Sequence, residues 1–122
     1  MNASFIKATA IALPVLFAAL PARALECPVP HVLPRPGIIT ETQPQIREYG
    51  ATLAGNDTGN AVGVIAQELR KKYPGVTDAE ITNFLVTAYC SELKAEGYDG
   101  ARARTRIKNF ADRADRLVAG AN

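Results

Sequence analysis

Catalytic side chains are scarce in this chain of 122 residues: it holds one histidine, His31, and two cysteines, Cys27 and Cys90. There is no G-x-S-x-G, no second histidine and no C-x-x-C-H haem attachment pattern. The serine nucleophile elbow and covalently held haem therefore have no signature here, and no activated cysteine is expected once Cys90 is oxidised. A closed zinc site takes four thiolate or imidazole ligands, and Cys27, His31 and Cys90 make three. No apolar run reaches the roughly 20 residues that a membrane-spanning helix needs. No useful period-2 alternation and no internal repeat occur either, which argues against a sheet and against a solenoid. Paired carboxylates are the one catalytic device that a sequence leaves open, because any two acids can meet in a fold.

What is present begins with an address. Lys7 supplies a positive start, residues 8–20 (ATAIALPVLFAAL) form a short apolar region, and Ala22-Arg23-Ala24 places small residues before a cleavage point. This pattern predicts a signal peptide over residues 1–24, cut after Ala24, and a periplasmic or secreted mature chain with no membrane association. Of 14 basic and 12 acidic residues, Lys7 and Arg23 leave with the leader. The remaining 98 residues carry 12 of each sign, which removes the electrostatic case for nucleic-acid binding.

In an oxidising compartment two cysteines are read first as a disulfide, here Cys27–Cys90. Closing a loop of about 60 residues restricts the unfolded chain by roughly 4 kcal/mol in the chain-entropy picture. Prolines at 28, 30, 34 and 36 make residues 25–41 an extended arm, because proline removes donors and fixes φ.

From residue 42 to 122 the pattern is helical, and the fold class predicted is all-α: a small bundle of about four helices with the proline-rich arm tethered to it. Thr42-Gln43-Pro44-Gln45 reads as a helix start, and Ile46, Tyr49 and Leu53 form a stripe that Gly55 stops. After the turn at residues 55–60, a second helix is expected from about Asn60 to Tyr73. It places Val62, Ile65, Ala66, Leu69 and Tyr73 inward, and Gln67, Glu68, Arg70, Lys71 and Lys72 in solvent. A third opens on Thr77 and Glu80 as a capping box and fades near Gly97. Its apolar arc of roughly 240° marks it as a hub touching three partner helices. Ile81, Phe84, Leu85 and Ala88 are expected to hold those helices, and Val86, Cys90 and Leu93 the arm. The last helix, with Asp99 as cap, repeats Ala103, Ile107, Phe110, Ala114 and Leu117 at helical spacing.

Four features carry candidate chemistry. Cys27 and His31, with Cys90, are potential metal or haem ligands if the thiols stay reduced. Asn56-Asp57-Thr58 matches a glycosylation acceptor, but its composition is that of a turn. Asn83, Thr87, Ser91 and Lys94 form a polar strip on the third helix, read as the side that meets solvent or a helix edge, with a small pocket at Thr87 and Ser91 as the alternative. Arg102, Arg104, Arg106 and Lys108 place four cations where the helix dipole favours acids. They form a candidate surface for a protein partner or an anionic ligand, with Lys108–Asp112 and Asp112–Arg116 available as four-apart pairs.

The run N-F-L-V-T-A-Y-C from Asn83 to Cys90, with Y-P-G-V at 73–76 and E-C-P-V at 26–29, resembles a group of small exported bacterial proteins of unknown function. The resemblance implies export and two matched cysteines, and it carries no catalytic residue. The function expected is a non-catalytic binding module without a cofactor. The alternatives are a metal- or haem-responsive protein using Cys27 and His31, and a hydrolase built on a carboxylate pair.

Overall fold

A computed structural model describes Cys27, residues 39–98 and residues 100–120. The expected leader, most of the arm, His31 and Asp99 lie outside the described residues. Four helices follow in order: α1 (Gln43–Leu53), α2 (Thr58–Lys72), α3 (Asp78–Ala95) and α4 (Gly100–Gly120). Among the described residues there is no strand, and the fold is all-α.

Local chemistry sets most of the boundaries. Thr42 caps α1 by accepting the Gln45 N–H at 3.4 Å, with Pro44 in the first turn, where a missing donor costs nothing. The helix ends at Leu53, two residues before Gly55. α2 begins at Thr58, earlier than the apolar pattern alone indicates, because Asp57 accepts the Asn60 N–H at 3.4 Å. The Thr58 hydroxyl donates back to the Leu53 carbonyl at 3.0 Å and so locks the corner between α1 and α2. Gly75, with φ of 87°, turns the chain toward α3.

α3 has both halves of its capping box: the Glu80 N–H reaches Thr77 Oγ1 at 3.2 Å, and the Thr77 N–H reaches Glu80 Oε2 at 2.9 Å. At its other end the Tyr98 N–H bonds the Leu93 carbonyl and the Gly97 N–H bonds the Lys94 carbonyl, both at 3.1 Å. Gly97 has φ of 79°, as this helix-ending motif requires.

α3 packs along α1 on one side and α4 on the other. The expected third partner is largely absent: α2 lies mainly against α4 and α1 and touches α3 least. Two aromatic contacts fasten the hub. Tyr49 of α1 meets Phe84 edge-on with ring centroids 5.8 Å apart, and Tyr89 stacks on Phe110 of α4 at 4.2 Å. Gly50 lets α1 approach α3 closely: a Cβ there would collide with the Ala88 carbonyl oxygen and lie 3.1 Å from Glu92 Cβ.

Ile81, Phe84, Leu85 and Ala88 join the main buried cluster with Leu53, Val62, Ile65, Leu69, Phe110 and Val118. Val86, expected to hold the arm, packs against that cluster. Cys90, Leu93 and Ala103 are buried but stand outside it. Cys90 is disulfide-bonded to Cys27, with the two Cα atoms 5.5 Å apart across a separation of 63 residues. On α4 it is Val118, one position beyond the expected stripe, that is fully buried, while Ile107 and Leu117 are half-buried.

Candidate functional site

α4 carries six basic residues against two acids, a net of four positive charges on one helix. Arg102, Arg104, Arg106 and Lys108 are all exposed. The helix nevertheless divides them. A spacing of two residues turns about 200°, so neighbours in this run alternate between flanks. Arg102 and Arg106 lie on one flank of the apolar face; Arg104 and Lys108 lie on the other. Asp115 belongs to the second flank, and Asp112 stands between the two, about 40° from Lys108 and from Arg116.

Two of the four are held in place. Arg104 Nε donates to the Gly100 carbonyl at 2.9 Å, covering a carbonyl of its own first turn. The Arg106 guanidinium sits over the Tyr98 ring, 4.5 Å from its centroid, a cation–π contact that fixes its direction without neutralising it. Among the described residues the ion pairs formed are Arg70–Asp78 and Lys72–Glu41. The four-apart pairs of Lys108 with Asp112 and of Asp112 with Arg116 do not close, so those cations keep their full charge toward solvent.

A second polar cluster went unread in the sequence. Glu41, the last residue before the α1 cap, has a side chain with 0 % exposure. Its Oε1 accepts from Lys72 Nζ at 2.7 Å and from the Tyr73 hydroxyl at 2.9 Å. The Tyr73 proton is shared with the Thr40 carbonyl at 2.7 Å, and Glu41 Oε2 is buried without a hydrogen-bond partner. Beside it the Tyr49 hydroxyl donates to Glu68 Oε1 at 3.2 Å.

Burial, then the neighbouring Glu68 carboxylate, pushes the Tyr49 phenol well above its usual range. Burial and the bond to Glu41 raise Tyr73, and the bond to Glu41 raises Lys72. Phenols displaced upward are donors and not bases at neutral pH. This cluster therefore clamps the end of the arm onto α2. Lys72, expected in solvent, is one jaw. Arg70, also expected in solvent, donates to Asp78 Oδ1 at 2.9 Å and to the Val118 carbonyl at 3.0 Å, joining α2, α3 and α4. The sequence signal for such anchors was the pair of tyrosines on apolar stripes, since a buried phenol takes a hydrogen-bond partner.

The remaining candidates resolve as follows. Cys27 and Cys90 form the disulfide, which takes both thiols out of ligand duty; His31 lies outside the described residues. Among the described residues no three of His, Cys, Asp or Glu converge as metal ligands. Of the polar strip, Asn83 and Lys94 are exposed, while Thr87 is buried and its hydroxyl donates to the Asn83 carbonyl at 2.8 Å. Ser91 does the same to the Thr87 carbonyl at 3.0 Å, so these two hydroxyls are satisfied along the helix.

A carboxylate pair does occur at the end of α3. Burial, then hydrogen bonding and repulsion from Glu96, raises the Glu92 carboxyl. The depression between α1 and α2, about 230 Å³, is lined by Thr52, Asp57, Asn60, Ala61, Val64 and Ile65. Its one acid, Asp57, is committed to capping α2.

No family model matches this chain, and no curated protein or solved structure matches it. Among the described residues no helix is long and apolar enough to cross a membrane.

Proposed function

We propose that this protein is an exported helical module that acts by binding and not by catalysis. In this reading residues 1–24 are removed as a signal peptide, the mature chain stays in the periplasm or is secreted, and no cofactor is carried. One observation supports it above the others: α4 keeps six exposed cations, and among the described residues none is neutralised by an ion pair. Exposed charge that no acid of the same chain neutralises is available to a partner. The phenols of Tyr49 and Tyr73 already donate within the clamp, which makes that cluster a structural one in this reading.

The competing reading, a metal- or haem-responsive protein using Cys27 and His31, requires the Cys27–Cys90 bond to open first. Intact mass of the mature chain without reductant separates the two. A mass two hydrogen atoms below the reduced form supports the disulfide module; two titratable thiols with co-purifying metal overturn it. Cross-linking in the native compartment then tests the surface. Partners recovered with the native chain should be lost on replacing Arg102 and Arg106 by glutamine. Unchanged recovery would remove α4 from the binding role.

A further inference from the structure

Two cations of the α4 run belong to a longer row. At about 100° per residue, Arg102, Arg106, Arg113 and Arg116 fall within about 80° of one another, with Asn109 completing the 4, 3, 4, 3 spacing. All four arginines are exposed, and the one acid bordering the row is Asp112, at its Arg116 end and about 40° outside it. The other flank behaves differently: Arg104 and Lys108 are followed along the helix by Asp112 and Asp115, so the two signs balance and their fields largely cancel at a distance. Arg106 is seated on Tyr98, and the Arg113 guanidinium lies over Gly59 at the start of α2, so two members are steered by neighbours that bring no negative charge.

We infer that this row is a docking edge for an extended acidic segment of a protein, an inference that rests on the binding reading above. Fourteen residues of helix span about 21 Å. An extended chain rises about 3.3 Å per residue and presents every second side chain to one face. About seven residues with carboxylates at alternate positions therefore match the length of the row. All four cations are arginine, whose planar fork pairs with carboxylates in bidentate geometry.

Two other anionic partners fit less well. The exposed large apolar residue among those described is Val64, on α2, so no apolar anchor accompanies the row to a lipid surface. Tyr98 is already covered by Arg106, which leaves the row without a free aromatic platform for nucleic-acid bases.

The probe is an eight-residue peptide with glutamate at alternate positions, titrated against the full mature chain at low salt. The native chain should bind it, and the quadruple change Arg102→Gln, Arg106→Gln, Arg113→Gln and Arg116→Gln should weaken binding about tenfold or more. The pair Arg104→Gln and Lys108→Gln should leave affinity within about twofold, and raising salt should weaken the native interaction. Circular dichroism of both variants confirms that the helices are retained.

Absence of peptide binding by the native chain overturns the inference, as does equal loss in the two variants. Row-dependent binding to vesicles containing anionic phosphatidylglycerol, or to a single-stranded oligonucleotide, at an affinity equal to or above the peptide's assigns the row to another partner class and also overturns it. Cross-linked partners that survive all six substitutions would end this inference and the α4 assignment, while leaving open a binding module that uses another face.

Discussion

Gly50 and Glu92 illustrate how single residues act through the α1–α3 contact. At Gly50 the atom facing a new Cβ is a helix carbonyl, which cannot rotate aside as a side-chain tip would. Gly50→Ala gains about 1 kcal/mol in helix propensity, but separating the packed helices costs about 1–3 kcal/mol. Net destabilisation is expected, read as a lower urea midpoint. Glu92 is strained electrically. Its folded-state carboxyl is raised, so its favourable contribution is present below the ordinary pKa of 4.5 and is lost as pH rises through the folded value. Glu92→Gln should therefore stabilise the protein at pH 7, by about 0.2–0.5 kcal/mol for relief of one like-charge pair, and change little at pH 3. Urea titrations at the two pH values check this.

At the scale of elements, α3 owes its form to its own termini and its position to two neighbours. The capping box and the Gly97 ending are local, and both are legible in Thr77, Glu80 and Gly97. The disulfide is different, since Cys90 lies outside the main buried cluster. Cys27→Ala with Cys90→Ala should free the arm and lower stability by about 2–4 kcal/mol while the far-ultraviolet dichroism remains helical. Loss of the helical signal at 20 °C would instead make the bond a condition of the core. The Glu41–Lys72–Tyr73 clamp predicts that the arm stays held at its α1 end even then.

For the whole molecule, the clamp makes alkaline pH the weak side of the stability curve. Tyr49, Tyr73 and Lys72 all have raised pKa values, so each contributes stability that is complete below its ordinary value and fades above it. Thermal stability should hold at neutral pH and fall from about pH 10 upward. Replacing Tyr49 and Tyr73 by phenylalanine should flatten that decline, even though the variant is weaker at pH 7 for want of the two hydrogen bonds. Melting temperatures at pH 7 and pH 10.5 test both signs. Charge is also distributed at this scale: α4 holds a net of four positive charges, while the whole chain carries a net of two. Binding through it should respond to salt more steeply than the net charge of the chain indicates.

By itself the sequence determined what depends on residues a few positions apart. Helix periodicity, the Thr42 and Thr77 caps and the glycine turns are all near-neighbour effects, so an all-α chain of four helices was readable in advance. The cysteine pairing was legible for another reason, since two cysteines allow one intramolecular bond. Only the tertiary structure decided what depends on distant segments meeting. It gave α3 two close partners instead of three, because α2 lies across α4 and α1. It buried Glu41 between Lys72 and Tyr73, more than thirty residues away, and drew Arg70 to the end of α4. The cations of α4 stand between these cases. Their exposure needed the fold, but their division into two flanks follows from helical geometry, which a run of alternating basic residues conceals when it is read along a line.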